Sequence, residues 1–468
     1  MIISNKGFAS ITAALFLFSV TMISTQQLQF TDATTACVGY EAGVNTITIT
    51  CNASFQDVVQ AIKNNPEILE QEDQDGQYIL KANLEVADGV TFEMTSNGVV
   101  DNLQYLKIAG ANGIIVYGKI LINGVKVTSW DVSDDDVVQQ DMNGTIPRGY
   151  IQFAASEGSQ ILNSEFGYLG YNELGRRGFD LYGGGGPSHD MLVRGNTIHD
   201  MWFAFYSNAA YNIAVDGNEY HHNIKYALDP HTGTHDMNIT NNYIHHNRFG
   251  VICSDDCYNI LIERNTAQDN TDGAIVFSRN MTYSIARNNH IYNATTGISL
   301  SESPNNQIYN NTIEGATDEG ILLFNPEVSV DGDTEGNILY DNVISSSEDG
   351  IRATRSQDNI LENTTFSNIE SNEYLLSASA SMTIRGQHFD DTSISVESDE
   401  GSGTGNNLVE ITDSGIIYAT EGGNNGGDDG DDGGDGREEE QAAANSYNTD
   451  NEPFTTTLSV GDTIIVNS

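Results

Sequence analysis

Asn265-Thr-Ala-Gln-Asp-Asn-Thr-Asp-Gly273-Ala-Ile-Val276 is the first half of one unit of a repeat of about two dozen residues that recurs seven times between Asn218 and Asn363. The spacings of the first six marker asparagines are 22, 24, 23, 24 and 22 residues. The full series is Asn196, Asn218, Asn242, Asn265, Asn289, Asn311, Asn342 and Asn363. A second series, small residues before short apolar runs, is Ala227, Gly250, Gly273, Gly297, Gly320 and Gly350. Such periods indicate a solenoid, because one unit cannot bury its apolar face alone and stacks on its neighbours.

The composition of the units indicates which kind of solenoid they form. Helical repeats would place apolar residues three, four and seven positions apart and would be rich in Ala, Leu, Glu and Lys. These units are instead rich in Asn, Gly, Thr, Ile and Tyr, with short runs such as Asn259-Ile-Leu-Ile262 that are typical of strands broken by turns. A unit of about 23 residues supplies two or three strands and their turns, which is one coil of a parallel β-helix. We therefore expect an all-β parallel β-helix.

The recurring asparagines are expected to build this solenoid and not to catalyse a reaction. An asparagine tolerates left-handed backbone at a turn, and its side chain can hydrogen-bond to the coils above and below. We therefore predict a ladder of stacked asparagines where each coil turns.

The two ends of the chain do not follow the repeat. A basic start, an apolar stretch from about Ala9 to Ile23 and a polar segment are typical of a secretion signal. Apolar residues at Phe55, Val58 and Ile62 predict a short amphipathic helix that covers the open end of the solenoid. We expect a signal peptide at 1–26, an N-terminal cap with the first strands at 36–105, a parallel β-helix at 106–395, and C-terminal strands at 396–468 with a disordered acidic loop at 421–445.

The charge of the chain is strongly negative and unevenly distributed. The formal net charge is −47 over 468 residues. Residues 386–468 hold 19 acidic side chains and one arginine (net −18), whereas residues 170–290 hold 13 acidic and 8 basic ones (net −5). Nucleic acids and anionic membranes are poor partners for such a chain. We expect a monomer without a membrane span in its mature form, secreted or at the cell surface.

The four cysteines form two pairs that are close in sequence. Cys37 and Cys51 lie 14 residues apart in the predicted cap, and Cys253 and Cys257 lie within one coil. An oxidising compartment favours a disulfide in either pair. Zinc is the alternative for the second pair, but no further Cys or His pair follows at a suitable spacing. We predict no metal site and no cofactor, although Gly-Asp tracts in the tail leave calcium open.

One coil departs from the pattern with Lys225-Tyr226-Ala-Leu-Asp229-Pro-His231. Because side chains alternate along a strand, Asp229 and His231 project from one side and Leu228 from the other. This strand thus presents a phenol, a carboxyl group and an imidazole close together. The alternative is structural: His231 caps the strand and Tyr226 packs in the next groove.

The segment Tyr226-Ala-Leu-Asp-Pro-His231 resembles the Tyr-Gly-[Phe/Ile]-Asp-Pro-His signature of mannuronan C5-epimerases, which convert D-mannuronate to L-guluronate within alginate. Further stretches resemble the periplasmic bacterial enzymes: Val127-Thr-Ser-Trp-Asp131, Phe166-Gly-Tyr-Leu-Gly-Tyr171, Met201-Trp-Phe-Ala-Phe-Tyr206 and Gly217-Asn-Glu-Tyr-His-His-Asn-Ile224. The resemblance spans roughly residues 75–390. Those enzymes are right-handed parallel β-helices with an N-terminal cap, so the resemblance implies the same fold here.

The resemblance also implies that Tyr226, Asp229 and His231 belong to a catalytic groove. Thr232 departs from the family, which usually has an acidic residue after the histidine. On the next coil, Phe249-Gly250 replaces a His-Gly pair of the periplasmic enzymes.

Those enzymes also carry an arginine on that coil that neutralises the substrate carboxylate. Asp255 stands near its place here and matches an aspartate of the secreted modular epimerases. Arg248 or Arg279 could supply the missing positive charge. The predicted substrate-binding residues are Lys225, Arg248, Asp255 and Arg279.

The implied reaction explains these residue types. Removing the proton at C5 of a uronate, next to its carboxylate, needs positive charge or strong donors at the carboxylate. It also needs a base on one face of the sugar and an acid on the other. We predict that His231 and Tyr226 form this pair, that Asp229 orients or tunes them, and that the substrate is an acidic polysaccharide. Two alternatives stay open: a lyase that eliminates the C4 substituent, and a β-helix that binds glycans without catalysis.

Overall fold

The computed structural model describes residues 37–62, 65–72, 75–96, 102–182, 186–324, 336–356 and 358–377 and, further along the chain, the strands alone. The predicted signal peptide (1–26) and residues 422–444 of the predicted acidic loop lie outside this part. In the described part, no helix is long and apolar enough to cross a membrane. The predicted domain limits at residues 105 and 395 remain predictions.

Three long sheets, here called A, B and C, run along the solenoid, and each coil passes through them in that order. Neighbouring coils pair in parallel: the strand Tyr226–His231 pairs with Phe203–Asn208 on the preceding coil and with Phe249–Ser254 on the following one. Antiparallel pairs occur near the two ends, for example between Val38–Glu41 and Thr46–Ile49. The prediction of an all-β parallel β-helix is confirmed.

The strands of each sheet are as follows. Sheet A contains Val38–Glu41, Thr46–Ile49, Asn83–Val86, Gly113–Val116, Tyr150–Phe153, Gly178–Leu181, Phe203–Asn208, Tyr226–His231, Phe249–Ser254, Gly273–Ser278, Thr296–Ser301, Glu319–Phe324, Asp349–Thr354, Tyr374–Ser377, Thr392–Glu397, Asn445–Asn448 and Thr463–Asn467. Sheet B contains Ala53–Ser54, Thr91–Thr95, Lys119–Asn123, Gln160–Leu162, Leu192–Arg194, Tyr211–Asp216, His235–Thr240, Tyr258–Glu263, Ile285–Arg287, Gln307–Tyr309, Ile338–Tyr340, Ile360–Glu362, Met382–Arg385, Asn406–Thr412, Gly415–Glu421 and Phe454–Leu458. Sheet C contains Leu69–Gln71, Gln77–Leu80, Tyr105–Ala109, Lys126–Asp131, Asp136–Val137, Glu165–Gly167, Thr197–His199, Glu219–His221, Tyr243–His245, Thr266–Gln268, His290–Tyr292, Thr312–Glu314, Val343–Ser345 and Thr365–Ser367.

The core is a column of apolar side chains that point inward from all three sheets. In sheet A, Leu228, Val251, Ile275 and Ile298 stack in register on successive coils and are buried. Full burial of one such side chain contributes about 1.5–3 kcal/mol to folding. The apolar side chains of one coil are buried only where the next coil packs against them. The same apolar positions therefore recur on every coil.

The described part of the N-terminal cap contains one helix, α1, at Phe55–Ile62. Ser54 and Asp57 form a capping box: the backbone N–H of Ser54 donates to the Asp57 carboxylate at 2.8 Å, and the Asp57 N–H donates to Ser54 Oγ at 3.3 Å. Phe55, Val58 and Ile62 are buried, as their spacing predicted. The prediction of a short capping helix is therefore confirmed.

The asparagine ladder lies at the corner between sheets B and C, and its members are buried. At Asn242, the carbonyl oxygen accepts from the side-chain and backbone N–H groups of Asn218, and Nδ2 donates to Asn265 at 2.9 Å. The ladder continues from Asn311 to Asn342 at 3.0 Å across a step of 31 residues. The predicted structural role of these asparagines is confirmed.

Two details of the predicted ladder are wrong. The residue with left-handed backbone is the one before the ladder position, as in Asn241 with φ 56°. The ladder residue itself directly precedes the next strand. Asn363 holds this left-handed position with φ 51° and is not a ladder member. Since Val343 pairs with Thr365, the residue that follows Asn342 in the ladder is Thr364.

The series of small residues follows a column of sheet A where neighbouring backbones pass close together. A Cβ added to Gly250 would lie 2.4 Å from the carbonyl oxygen of Ala274. Phe249 pairs with Gly273, so Ala274 and not Gly273 occupies this column. The sequence series was therefore one residue out of register at Gly273, because the spacing varies from coil to coil.

The two cysteine pairs differ. Cys37 and Cys51 form a disulfide, as predicted. Cys253 and Cys257 are buried free thiols, so the disulfide predicted for them is wrong. Cys253 belongs to the apolar core, while the thiol of Cys257 donates to the carbonyl oxygen of Ser254 at 3.1 Å.

Candidate functional site

The strand Tyr226–His231 places polar groups on the outer face of sheet A. Leu228 points into the core, whereas Asp229 and His231 belong to the opposite face, as the alternation predicted. The turn that follows this strand leads to sheet B, and the corresponding turns on the next two coils carry Asp255 and Arg279. A stacked solenoid thus brings together residues that are 24 or more positions apart in sequence.

The His231 imidazole has one partner on each ring nitrogen. Nδ1 lies 2.6 Å from the hydroxyl of Thr232, and Nε2 lies 3.4 Å from Oδ2 of Asp255. Partial burial lowers the pKa of His231, and the positive charges of Arg279 and Arg177 lower it further, while Asp255 opposes them. With 22% of its side chain exposed, His231 is a largely neutral imidazole that remains accessible.

Asp255 links His231 to Arg279. Its other carboxylate oxygen, Oδ1, accepts from Nε of Arg279 at 2.9 Å. The Arg279 side chain is 56% exposed, so its guanidinium also faces solvent. Arg279 therefore carries a positive charge beside the imidazole that is available to an incoming anion.

Asp229 lies beneath these groups and is 2% exposed. Burial raises the pKa of its carboxyl group well above the ordinary value, although Arg177 and Arg279 oppose this shift. Among the described residues, Oδ1 of Asp229 has no hydrogen-bond partner. Asp229 is thus a buried carboxyl group that favours the protonated state.

Tyr226 lies between two aromatic rings of the neighbouring coils, with ring centroids 4.8 Å from Phe203 and 5.4 Å from Phe249. Burial raises the pKa of its phenol, and the nearby carboxyl group of Asp229 adds to that effect. Tyr226 therefore holds its proton at neutral pH and can serve as an acid.

Three further residues that the sequence analysis missed, Arg177, Asp180 and Tyr206, belong to the same outer face. Asp180, Tyr206 and Asp229 stack in register on three successive coils. The Arg177 guanidinium lies 4.0 Å from the Tyr206 ring centroid, and Tyr206 in turn contacts the His231 ring at 5.6 Å.

Asp180 is fully buried, and burial raises its pKa from 3.8 to about 7. Its Oδ2 accepts from the backbone N–H of Arg177 at 3.1 Å. Arg176-Arg177 is an adjacent arginine pair in an acidic chain, a signal that could have drawn attention to this coil.

Lys225 and Arg248 lie on neighbouring coils at the opposite edge of the sheet A face, just before its strands begin. Arg248 pairs with Asp272 at 2.6 Å, and the Lys225 ammonium lies 5.6 Å from the Trp202 ring. Arg248 is close enough to Tyr226 to lower its pKa. These two cations thus flank the face, while Arg177 and Arg279 are the ones that act on Asp229 and His231.

This arrangement has the components of a proton-transfer site for an anionic ligand. It holds a neutral imidazole, a protonated phenol, a buried carboxyl group and two guanidinium groups on one surface. A base, an acid and positive charge are the groups needed to remove a proton next to a carboxylate.

Known proteins match this chain in fold and over part of its sequence. The family model described as a right-handed beta helix region matches residues 119–283, 177–334 and 287–426. Mannuronan C5-epimerase from Pseudomonas syringae pv. tomato is 27% identical over 276 residues, which are 56% of this chain and 49% of that protein. The enzyme of the same name from Pseudomonas putida is 26% identical over 283 residues, 58% of this chain and 53% of that protein. The chain spans about half the length of these relatives.

Solved structures agree on the fold. The periplasmic alginate epimerase AlgG aligns with a TM-score of 0.58 and 21% identity over 72% of this chain and 85% of that one. Its T265N mutant aligns with a TM-score of 0.56. The chain therefore belongs to the family of right-handed β-helix proteins, and its predicted resemblance to mannuronan C5-epimerases is confirmed.

Proposed function

We propose that this protein is a polysaccharide C5-epimerase that converts mannuronate to guluronate residues within an alginate-like polyuronate. The observation that carries the proposal is the convergence of His231, Tyr226, Asp229 and Arg279 on one outer face of sheet A. The similarity to mannuronan C5-epimerases supports the substrate class. It covers about half of those proteins, so the assignment rests on the site as well.

His231 is the base in this proposal. Its lowered pKa keeps Nε2 or Nδ1 free of a proton at neutral pH. The proton at C5 passes to the imidazole, and the electron pair of the C–H bond moves toward the uronate carboxylate.

Arg279 stabilises the negative charge that this step creates. In the free protein its guanidinium pairs with Asp255, and a substrate carboxylate would compete for that guanidinium. Asp229, protonated by its raised pKa, is a neutral hydrogen-bond donor beneath these groups and adds no negative charge to the site. A neutral donor stabilises the dianionic intermediate without repelling it.

Tyr226 is the acid that completes the reaction. Epimerisation requires a proton to reach C5 from the face opposite to His231, and the raised pKa of Tyr226 keeps its proton available. If the C4 substituent leaves before that proton arrives, the same intermediate gives an unsaturated sugar. A guluronate product therefore indicates that the acid reprotonates C5, and an unsaturated product indicates that the C4 substituent leaves first.

The polymer lies along the solenoid axis across successive coils of sheet A. Lys225 and Arg248 flank one edge of this path, and the segment 170–290 carries a much weaker negative charge than the C-terminal region. The Cys37–Cys51 disulfide supports a location outside the cytoplasm, where such polymers occur.

The test is proton NMR of polymannuronate incubated with the protein in D2O, beside a His231→Ala control. New guluronate signals with deuterium at C5, absent in the control, would support the proposal. Unsaturated 4-deoxy signals would replace it with a lyase. No change would leave a β-helix that binds glycans without catalysis.

A further inference from the structure

Sheet C carries a column of histidines that the proposed function does not use. His199, His221 and His245 stack on successive coils, with ring centroids 5.1 and 5.2 Å apart. His222 and His246 form a second stack beside them, at 5.1 Å. The two columns lie where the chain turns from sheet C toward sheet A.

Within each of two coils, the adjacent histidines face each other through the same ring nitrogen. Nδ1 of His221 lies 2.9 Å from Nδ1 of His222, and Nδ1 of His245 lies 2.8 Å from Nδ1 of His246. The rings of each pair are nearly perpendicular, at 89° and 85°. Nitrogen atoms this close need a proton or a cation between them, because two lone pairs repel each other.

The neighbouring coils show what an ordinary pair at this position looks like. One coil before, Nδ1 of His199 lies 2.7 Å from the Asp200 carboxylate. One coil after, the Gln268 amide donates to the Asp269 carboxylate at 2.9 Å. In both, a donor meets a carboxylate. The two His-His pairs between them lack this acceptor, so their contact requires another explanation.

Carboxylates on the far side of the rings decide where the protons of the second pair lie. Nε2 of His245 lies 3.1 Å from Glu219, and Nε2 of His246 lies 3.7 Å from Asp269. Glu219 holds the ring proton of His245 on Nε2, and Asp269, beyond hydrogen-bond distance, favours the same tautomer of His246 only through its charge, which leaves both Nδ1 atoms with lone pairs. A carboxylate behind the imidazole is the usual arrangement around histidines that bind metals.

We propose that the Nδ1 atoms of His245 and His246 bind a divalent transition-metal ion, with Glu219 fixing the His245 imidazole. Metal–imidazole bonds are about 2.0–2.1 Å long, so two ligands at a right angle lie about 2.9 Å apart, as here, and two tetrahedral ligands about 3.4 Å apart. The spacing therefore favours a tetragonal ion such as Ni²⁺ or Cu²⁺, with water in the remaining positions.

The His221–His222 pair is a weaker copy of this site. Its two Nδ1 atoms lie 2.9 Å apart, compared with 2.8 Å in the His245–His246 pair. Among the described residues, however, neither histidine forms an ion pair with a carboxylate. This pair thus provides a natural comparison, one coil away, for the effect of the carboxylates.

The experiment is calorimetric titration of the tag-free protein with NiCl2 after removal of metals by EDTA. We expect the wild type to bind Ni²⁺ and the His245→Ala/His246→Ala variant to bind it at least about tenfold more weakly. Glu219→Gln should weaken binding by about tenfold or more while circular dichroism stays unchanged, as expected for a residue behind a metal ligand. With Cu²⁺, electron paramagnetic resonance should report two coordinated nitrogens.

The matched control is His189→Ala. Glu157, His189 and Asp190 place three ligand atoms within 4.8 Å of one another and are the competing site among the described residues. Binding that survives in His245→Ala/His246→Ala but is lost in His189→Ala would overturn the proposal. So would a wild type that takes up no Ni²⁺, because a shared proton would then explain the close nitrogens.

Discussion

Asp255 lies with one carboxylate oxygen 3.4 Å from Nε2 of His231, so the proposed base faces an anion from the next coil. The same carboxylate holds Arg279 through its other oxygen. Asp255 therefore acts on the base and on the cation at once: it raises the pKa of the first and occupies the second. In the proposed function a substrate carboxylate competes with Asp255 for Arg279, so we expect Asp255 to affect both pH dependence and affinity.

Replacing Asp255 by Asn should shift the pH dependence of epimerisation. Asp255 raises the pKa of His231, so its removal lowers that pKa further and extends activity to lower pH. The limb of kcat/KM on the acidic side, already below the ordinary histidine pKa of 6.5, should move down in the variant. Deuterium incorporation measured from pH 4 to 9 checks this. An unchanged acidic limb would show that His231 is not the base.

Loss of His231 should remove catalysis itself. His231→Ala is expected to reduce the rate by about 10²–10⁴-fold, the usual contribution of a general base. His235→Ala is the matched control, because His235 stacks between Tyr211 and Tyr258 at 5.3 and 4.6 Å on sheet B. Equal losses in both variants would indicate a structural effect and not a catalytic one.

Arg279→Ala should lower kcat, because positive charge at the carboxylate is needed most in the transition state. A loss of about 10²–10³-fold is expected, as for removal of one donor to a developing oxyanion. Arg248→Ala should instead raise KM with a smaller effect on kcat, since Arg248 is tied to Asp272 at the edge of the face. Steady-state kinetics on polymannuronate separate the two effects. The reverse ranking would exchange their roles.

Asp180→Asn should change how stability depends on pH. Burial raises the folded-state pKa of Asp180 from 3.8 to about 7. The contribution of Asp180 to the free energy of unfolding is therefore fully present below pH 3.8 and is lost as the pH rises toward 7. The amide does not titrate and escapes this loss. At pH 8 the variant should be more stable by at least about 1 kcal/mol, since each pH unit in this window is worth about 1.4 kcal/mol. Chemical denaturation at pH 4 and pH 8 checks the difference, which should be small at pH 4.

Asn242→Ala should destabilise the solenoid. It removes the hydrogen bonds to Asn218 and Asn265 and leaves buried partners unsatisfied, at about 1–3 kcal/mol for each group. Asn238→Ala is the control, because Asn238 lies on the same coil with its side chain exposed. The unfolding temperatures of the two variants, each compared with the wild type, check this. A loss as large in Asn238→Ala would argue against the ladder.

Alkylation should distinguish the two cysteine pairs. Without reductant, denatured protein should take up iodoacetamide at Cys253 and Cys257 but not at Cys37 or Cys51. Native protein should react slowly at both thiols, because burial raises the pKa of each and hides it from solvent. Peptide mass spectrometry identifies the labelled residues. A disulfide between Cys253 and Cys257 would block both.

The sequence predicted those features that depend on the local spacing of residues. The helix at Phe55–Ile62, the role of Asn242 and the outward direction of Asp229 and His231 all followed from local periodicity. Periodicity failed where coil length changed: it placed Gly273 instead of Ala274 in the column of small residues, and Asn363 instead of Thr364 in the ladder.

The rest of the site depends on register between coils, which one sequence does not specify. Arg177 and Asp180 lie on a coil of unusual length, before the regular spacing begins at Asn196, so nothing in the pattern aligned them with Asp229. The Asp255–Arg279 pair likewise depends on two turns coming together. The facing nitrogens of His245 and His246 depend on side-chain orientation, about which the sequence is silent.

The asparagine ladder joins Asn311 to Asn342 as well as it joins positions 22 residues apart, although 31 residues separate them. The ladder therefore keeps its hydrogen bond when the number of residues between two coils changes. Loops at the turns can be gained, lost or exchanged in evolution while the sheet A floor keeps its spacing. A lineage of such proteins can thus change the turns beside sheet A one coil at a time, while the coil that carries Tyr226–His231 stays as it is.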